Sequence, residues 1–136
     1  MLRPKQTKFR KYKKGKIKGN SSKNLSCKFG LYGLKAVESG RITARQIEAA
    51  RITITRKIKR KGKLWIKVFP YMPVTNKPIE VRMGKGKGSV SYFVAPVKAG
   101  SLLYEIGGIP KEMAIQALKS GSNKLPIDTR VICKSN

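Results

Sequence analysis

The chain has no histidine and only six acidic residues in 136: Glu38, Glu48, Glu80, Glu105, Glu112 and Asp128. Without imidazole it lacks the commonest general base and the commonest metal ligand. The acids are too scattered for spacing to mark a carboxylate pair, so acid–base catalysis has no visible basis and an enzyme is not expected. The two cysteines, Cys27 and Cys133, form no C-x-x-C and have no histidine companions, which excludes a zinc site. Free, partly buried thiols are the expectation, with a disulfide between the chain ends as the alternative in an oxidising compartment. No run approaches the roughly 20 apolar residues of a membrane span. The basic N-terminus has no apolar segment behind it that would make a secretory signal. No cofactor, metal or membrane partner is expected.

Positive charge is what the chain has in excess. It carries 32 lysines and arginines against 6 acids, a formal net charge of +26. A small soluble domain usually stays near a charge magnitude of about 2–8. This surplus costs self-repulsion and calls for a polyanionic partner. It is densest in residues 1–24, which hold Arg3, Lys5, Lys8, Arg10, Lys11, Lys13, Lys14, Lys16, Lys18 and Lys23 and no acid. That stretch has no apolar periodicity, so it is expected to be an arm that stays unfolded until it meets a polyanion. Counterion release makes phosphate the favoured partner. One domain is expected from residue 25 to 136.

Within that domain, residues 27–37 are rich in β-formers but carry Gly30 and Gly33, and predict a bent or bulged strand. Thr43-Ala44-Arg45-Gln46 is a capping box. Ala44, Ile47, Ala50, Ile54 and Ile58 follow at helical spacing, which leaves Arg45, Arg56, Lys59 and Arg60 as a cationic ridge on the other side. Basic residues crowd the last turn and Gly62 is placed to stop it. Strands are expected at 63–69, 79–83, 90–97 and 102–106, with a proline-punctuated loop from Pro70 to Pro78. Pro110 opens a short second helix containing Met113, Ala114, Ala117 and Leu118, and Ile127, Thr129, Val131 and Cys133 alternate as a closing strand. The elements lack a repeating βαβ rhythm, so the class is α+β, with a mixed or antiparallel sheet and two helices.

The most specific motif is Arg82-Met83-Gly84-Lys85-Gly86-Lys87-Gly88. Alternating glycines remove bulk and permit positive φ, so Lys85 and Lys87 would project from a reaching tip. A solvated hairpin loop would have the same spacing. It is no Walker loop, since no Gly-Lys is followed by Ser or Thr. The ridge is a phosphate-contact candidate because only Glu48 is available for pairing along the helix. Trp65 and Phe69 are expected in the core more than as stacking surfaces, whereas Tyr12 in the arm could stack on a base. Zinc-finger spacing, basic-zipper heptads and a helix-turn-helix pair are all missing, which points to irregular folded RNA over DNA.

Four segments carry a resemblance. Residues 59–70 (KRKGKLWIKVFP) and 82–88 (RMGKGKG), with residues 1–11 (MLRPKQTKFRK) and 43–51 (TARQIEAAR), resemble the large-subunit ribosomal protein L-sixteen family of bacteria and organelles in order and spacing. Tyr71-Met72 departs from the Asp-Lys often found between those prolines. The resemblance implies a hammerhead-type α+β fold and a place on large-subunit rRNA near the aminoacyl-tRNA site. It implies that Arg82, Met83, Gly84, Lys85, Gly86, Lys87 and Gly88 form a tRNA-proximal loop. The arm cations from Arg3 to Lys18, with Arg45, Arg56, Lys59 and Arg60, would hold rRNA beside neighbouring ribosomal proteins, with no homo-oligomer. The bond chemistry would belong to RNA.

On that resemblance the chain begins at the family's first residue, so no presequence is expected. Lysine outnumbers arginine 23 to 9, as in AT-rich genomes. An organellar gene explains both, and resemblance to the bacterial more than the plastid form favours a ribosome of the mitochondrial matrix over a plastid. A low-GC bacterium explains them too, with bacterial cytoplasm as the alternative. The rival functions are a generic basic nucleic-acid binder, a cationic membrane-surface protein and an RNA-modifying enzyme.

Overall fold

The capping box forms as the residues require. Thr43 Oγ1 accepts the N–H of Gln46, and the Gln46 side chain accepts the N–H of Thr43. Helix α1 runs Ala44–Lys57 from this cap and buries Ala44, Ile47, Ala50 and Ile54. The computed structural model describes residues 2–23 and 25–134. Met1 and Asn24 of the expected arm and residues 135–136 of the expected domain lie outside the described residues.

Among the described residues, seven strands and two helices make an α+β fold with antiparallel sheets. Strands β1 (Tyr32–Ala36), β3 (Lys63–Ile66), β6 (Leu102–Gly107) and β7 (Thr129–Cys133) form a four-stranded sheet in the order β3-β6-β1-β7. Strands β2 (Gly40–Thr43), β4 (Met72–Asn76) and β5 (Ser89–Val97) form a second sheet, ordered β2-β5-β4. Every ladder between these strands is antiparallel. Helix α2 (Lys111–Ser122) packs on α1 and against β1 and β7. The core joins Leu34, Ile47, Ile54, Tyr104, Ile106, Ala114 and Leu118. Full burial of such a leucine or isoleucine side chain contributes about 1.5–3 kcal/mol. The buried Tyr104 hydroxyl donates to the Ile47 carbonyl at 2.9 Å, which ties β6 to α1.

Several expected boundaries move, each for a local reason. The bulge in the 27–37 strand is present between Leu34 and Lys35, but only Tyr32–Ala36 pairs. Residues 28–30 wrap around a buried carboxylate instead. The strand expected at 79–83 is a loop, because Ile79 and Met83 have no partner strand and stand fully exposed. The strand lies earlier, at Met72–Asn76, inside the expected proline loop. Pro73 is tolerated there because β4 is the edge of its sheet. The short β2, unforeseen, pairs Arg41 with Pro96 and Ile42 with Ala95. β3 stops at Ile66, although Lys67 N–H still donates to Leu103 at 2.8 Å.

Helix α1 ends at Lys57 and not at Gly62. Arg60 N–H donates to the Thr55 carbonyl and Lys59 N–H to the Arg56 carbonyl, the two bonds of a Schellman motif. Lys59 and Arg60 adopt φ of 51° and 60°, so two cations occupy the left-handed turn that glycine usually supplies. Gly62, at φ 72°, comes only afterwards.

Candidate nucleic-acid interface

Strands β4 and β5 form a hairpin whose last pair is Asn76 with Ser89, so residues 77–88 project from its end. Arg82, Met83, Gly84, Lys85, Gly86 and Lys87 are all exposed there. The glycines serve two different needs. Gly84, Lys85 and Gly86 run through φ of 97°, 54° and 87°, and both glycines stand in open space. Gly88 sits at the neck, where a Cβ would come within 2.5 Å of the Asn76 carbonyl oxygen. Lys77 Nζ donates to the Gly84 carbonyl across the loop. This leaves the backbone bare at the tip and Lys85 pointing out of a shaped turn.

The arm forms no helix or strand among its described residues, yet it follows the body closely. Leu2 packs against the core and the Arg3 guanidinium stands 5.7 Å from the Phe93 ring centre. Lys11 Nζ donates to the Lys87 carbonyl at 3.0 Å, and Lys87 Nζ donates to the Tyr12 carbonyl. Arg41 Nη2 donates to the carbonyls of Lys14 and Gly15 at 2.6 and 2.7 Å. Ser21 N–H donates to the Ala99 carbonyl at 2.8 Å, beside a parallel bridge between Asn20 and Ala99. Tyr12 is half-buried, edge-on to Phe9. Lys5, Lys8, Arg10, Lys11, Lys13, Lys14, Lys16 and Lys18 remain exposed.

The ridge is reshaped by the early helix end. Arg45 and Arg56 lie on α1, eleven residues apart and therefore on one face about 16 Å from each other. Lys59 and Arg60 leave the helix and stand exposed on the Schellman turn. Arg51 is the cation of α1 with an acidic partner: its Nε donates to Glu48 at 2.8 Å. That bond pulls the Glu48 carboxyl below its ordinary range and raises the Arg51 guanidinium.

Tertiary structure brings these pieces together. Arg3 of the arm and Arg45 of α1 line one cleft of about 800 Å³, floored by Val90–Phe93 of β5. Just before the start of β5 the arm meets the glycine loop through Lys11, Tyr12 and Lys87. Helix start, arm and loop thus form one cationic path. Sequence reasoning missed Arg41 and Lys77, which organise arm and loop through carbonyl oxygens that leave no mark in residue spacing. Among the described residues no group of three His, Cys, Asp or Glu could hold a metal ion, and no helix is long and apolar enough to cross a membrane.

Comparison with known proteins gives consistent matches. The family model for ribosomal protein L16p/L10e matches residues 4–132. The chain is 58% identical over 134 residues to the large ribosomal subunit protein uL16 of Caulobacter vibrioides, covering 98% of this chain and 94% of that one. It is 59% identical over 132 residues to the uL16 proteins of Bartonella bacilliformis and Hyphomonas neptunium, covering 97% of this chain and 96% of each.

Proposed function

The chain belongs to the ribosomal protein L16p/L10e family, and on that footing we propose that this structural protein of the large ribosomal subunit grips rRNA with its arm and helix and extends its glycine loop toward tRNA at the aminoacyl site. The observation that carries the reading is the continuous cationic path from Arg45 through Arg3 and along the arm to Lys87. A single folded RNA can neutralise that path along its length, and the counterions released supply the affinity. Arg3, Lys5, Lys8, Arg10, Lys11, Lys13, Lys14, Lys16 and Lys18 are the arm's phosphate contacts. Arg45, Arg56, Lys59 and Arg60 are those of the ridge. Arg82 to Gly88 face tRNA, where bare backbone permits close approach. The protein positions RNA and leaves bond making to it, beside neighbouring ribosomal proteins and without a second copy of itself.

For the compartment, we propose an organellar ribosome of the mitochondrial matrix, a reading that the AT-rich signature of 23 lysines to 9 arginines allows. The bacterial cytoplasm is the alternative, and the named relatives are themselves bacterial. Immunodetection in mitochondria purified from the source cell would support the first, and a source cell without organelles the second.

The functional test compares retention of large-subunit rRNA and of duplex DNA by the full chain at matched salt. Preference for rRNA and co-sedimentation with the large subunit are the expected results. Equal affinity for both polymers would instead favour a generic basic nucleic-acid binder, a reading that the net charge of +26 alone would allow.

A further inference from the structure

We propose that Phe29 and Trp65 form a stacking platform for an unpaired base of the bound RNA. The proposal rests on the RNA reading above and adds a site that lies outside the arm, the ridge and the glycine loop.

The two rings lie 6.0 Å apart between centres at an interplanar angle of 23°. Phe29 is 61% exposed. Lys67 Nζ stands 4.3 Å from the Phe29 ring centre, while the Lys67 side chain is only 14% exposed. The ammonium is therefore largely shielded beside the ring, while most of the Phe29 side chain stays accessible. Trp65 lies against Gly107, where a Cβ would come within 3.3 Å of the indole, and Lys63 Nζ stands 5.5 Å from the indole.

This exposed ring is held by groups out of reach of water. Glu105 is fully buried, and its Oε2 accepts the N–H groups of Lys28, Phe29 and Gly30 at 3.1, 2.7 and 2.9 Å. Its Oε1 lies 3.5 Å from Lys67 Nζ. Gly30 lets the segment lie flat on β6, since a Cβ there would come within 2.5 Å of the Ile106 carbonyl oxygen. A buried carboxylate thus fixes the backbone under a phenylalanine that gains little by burial. A rigid π-surface with the exposed Lys63 ammonium at its border fits a flat base attached to phosphate, because the base stacks while Lys63 takes the charge. The carboxylate of Glu105 is already engaged by the Phe29 N–H and by Lys67.

Trp65 is the single tryptophan of the chain, so its emission reports on this site alone. The full chain is titrated with large-subunit rRNA and, separately, with inorganic polyphosphate as a polyanion without bases, while filter retention follows binding. Quenching by rRNA but not by polyphosphate is expected. Phe29→Ala should weaken rRNA binding roughly 5- to 150-fold, the loss of one stacked base, with an unchanged salt slope because no charge is removed. Phe29→Tyr should restore it. Retained rRNA with unchanged Trp65 emission and a neutral Phe29→Ala would overturn the platform and leave the face to a protein neighbour, the RNA reading still standing. Failure to retain rRNA at all would overturn the RNA reading, and the platform with it.

Discussion

The carboxylate of Glu105 accepts the backbone N–H of Gly30 at 2.9 Å across 75 residues of sequence, with both groups buried. Burial alone would push this carboxyl up. The N–H groups of Gly30 and Phe29 and the Lys67 ammonium outweigh burial and hold it below its ordinary value of 4.5.

A group depressed in the folded state stabilises above its unfolded pKa and loses that contribution as pH falls through the folded one. Urea unfolding should therefore show this contribution intact from pH 7 to about 5 and fading in stronger acid. Glu105→Gln should be less stable at pH 7 and converge with the native protein at low pH. Glu105→Ala should cost about 3–5 kcal/mol, since it strands three N–H groups and an ammonium. A midpoint difference that does not change with pH would contradict the assignment.

Lys59 occupies the left-handed position of the Schellman turn, where a side chain is strained. Lys59→Gly should leave the free protein unchanged or up to about 1 kcal/mol more stable by thermal or urea unfolding. The same variant should bind rRNA less well and reduce the salt slope by about 0.9, because one phosphate contact is lost. Stability and affinity moving in opposite directions would identify a strained residue kept for its charge.

The loop is expected to act after assembly. Lys85→Ala combined with Lys87→Ala should still enter the large subunit but slow tRNA accommodation, measured by rapid kinetics on whole ribosomes that contain the variant. Its rRNA salt slope should fall by at most about 2. Removing residues 1–18 deletes nine cations, should flatten the slope by up to about 8 and should impair incorporation itself. Normal accommodation by the loop double variant would make the loop ornamental.

The two thiols should differ in reactivity. Burial, and next the Glu105 carboxylate, push the Cys27 thiol up, whereas Cys133 is exposed. Alkylation of the native chain at neutral pH should give one adduct, on Cys133, and a second on Cys27 only in denaturant. Mass spectrometry of the labelled peptides decides this.

Much of the fold could be read from local pattern. The Thr43–Gln46 capping box and the apolar spacing from Ala44 to Ile58 marked α1, because a cap and a helix face both involve residues within one or two turns. The closing strand was legible for a similar reason, its alternation matching a half-buried pleat, whereas 90–97 and 102–106 read as short runs of β-formers, the latter buried at every position. The β4 strand was not. Met72-Pro73 looks like a loop until Val94 and Phe93 lie alongside it, while the better β-formers Ile79 and Val81 find no partner. The helix end misled because Lys59 and Arg60 took the left-handed turn that Gly62 seemed placed to provide. At the interface, the arm and ridge cations were visible as a surplus without acids. Arg41 and Lys77 were hidden, since their partners are carbonyl oxygens that every residue carries.

The charge surplus, the helix faces and the composition of the glycine loop are properties of short stretches, and the amino-acid order determined them alone. Where those stretches meet was decided only in three dimensions: Arg3 beside Arg45, Lys11 against Lys87, and Phe29 pinned next to Trp65 by a carboxylate far along the chain. Such contacts depend on how β5 and β6 pair across long loops, and their stability comes from burial and hydrogen bonds between residues that no spacing rule connects.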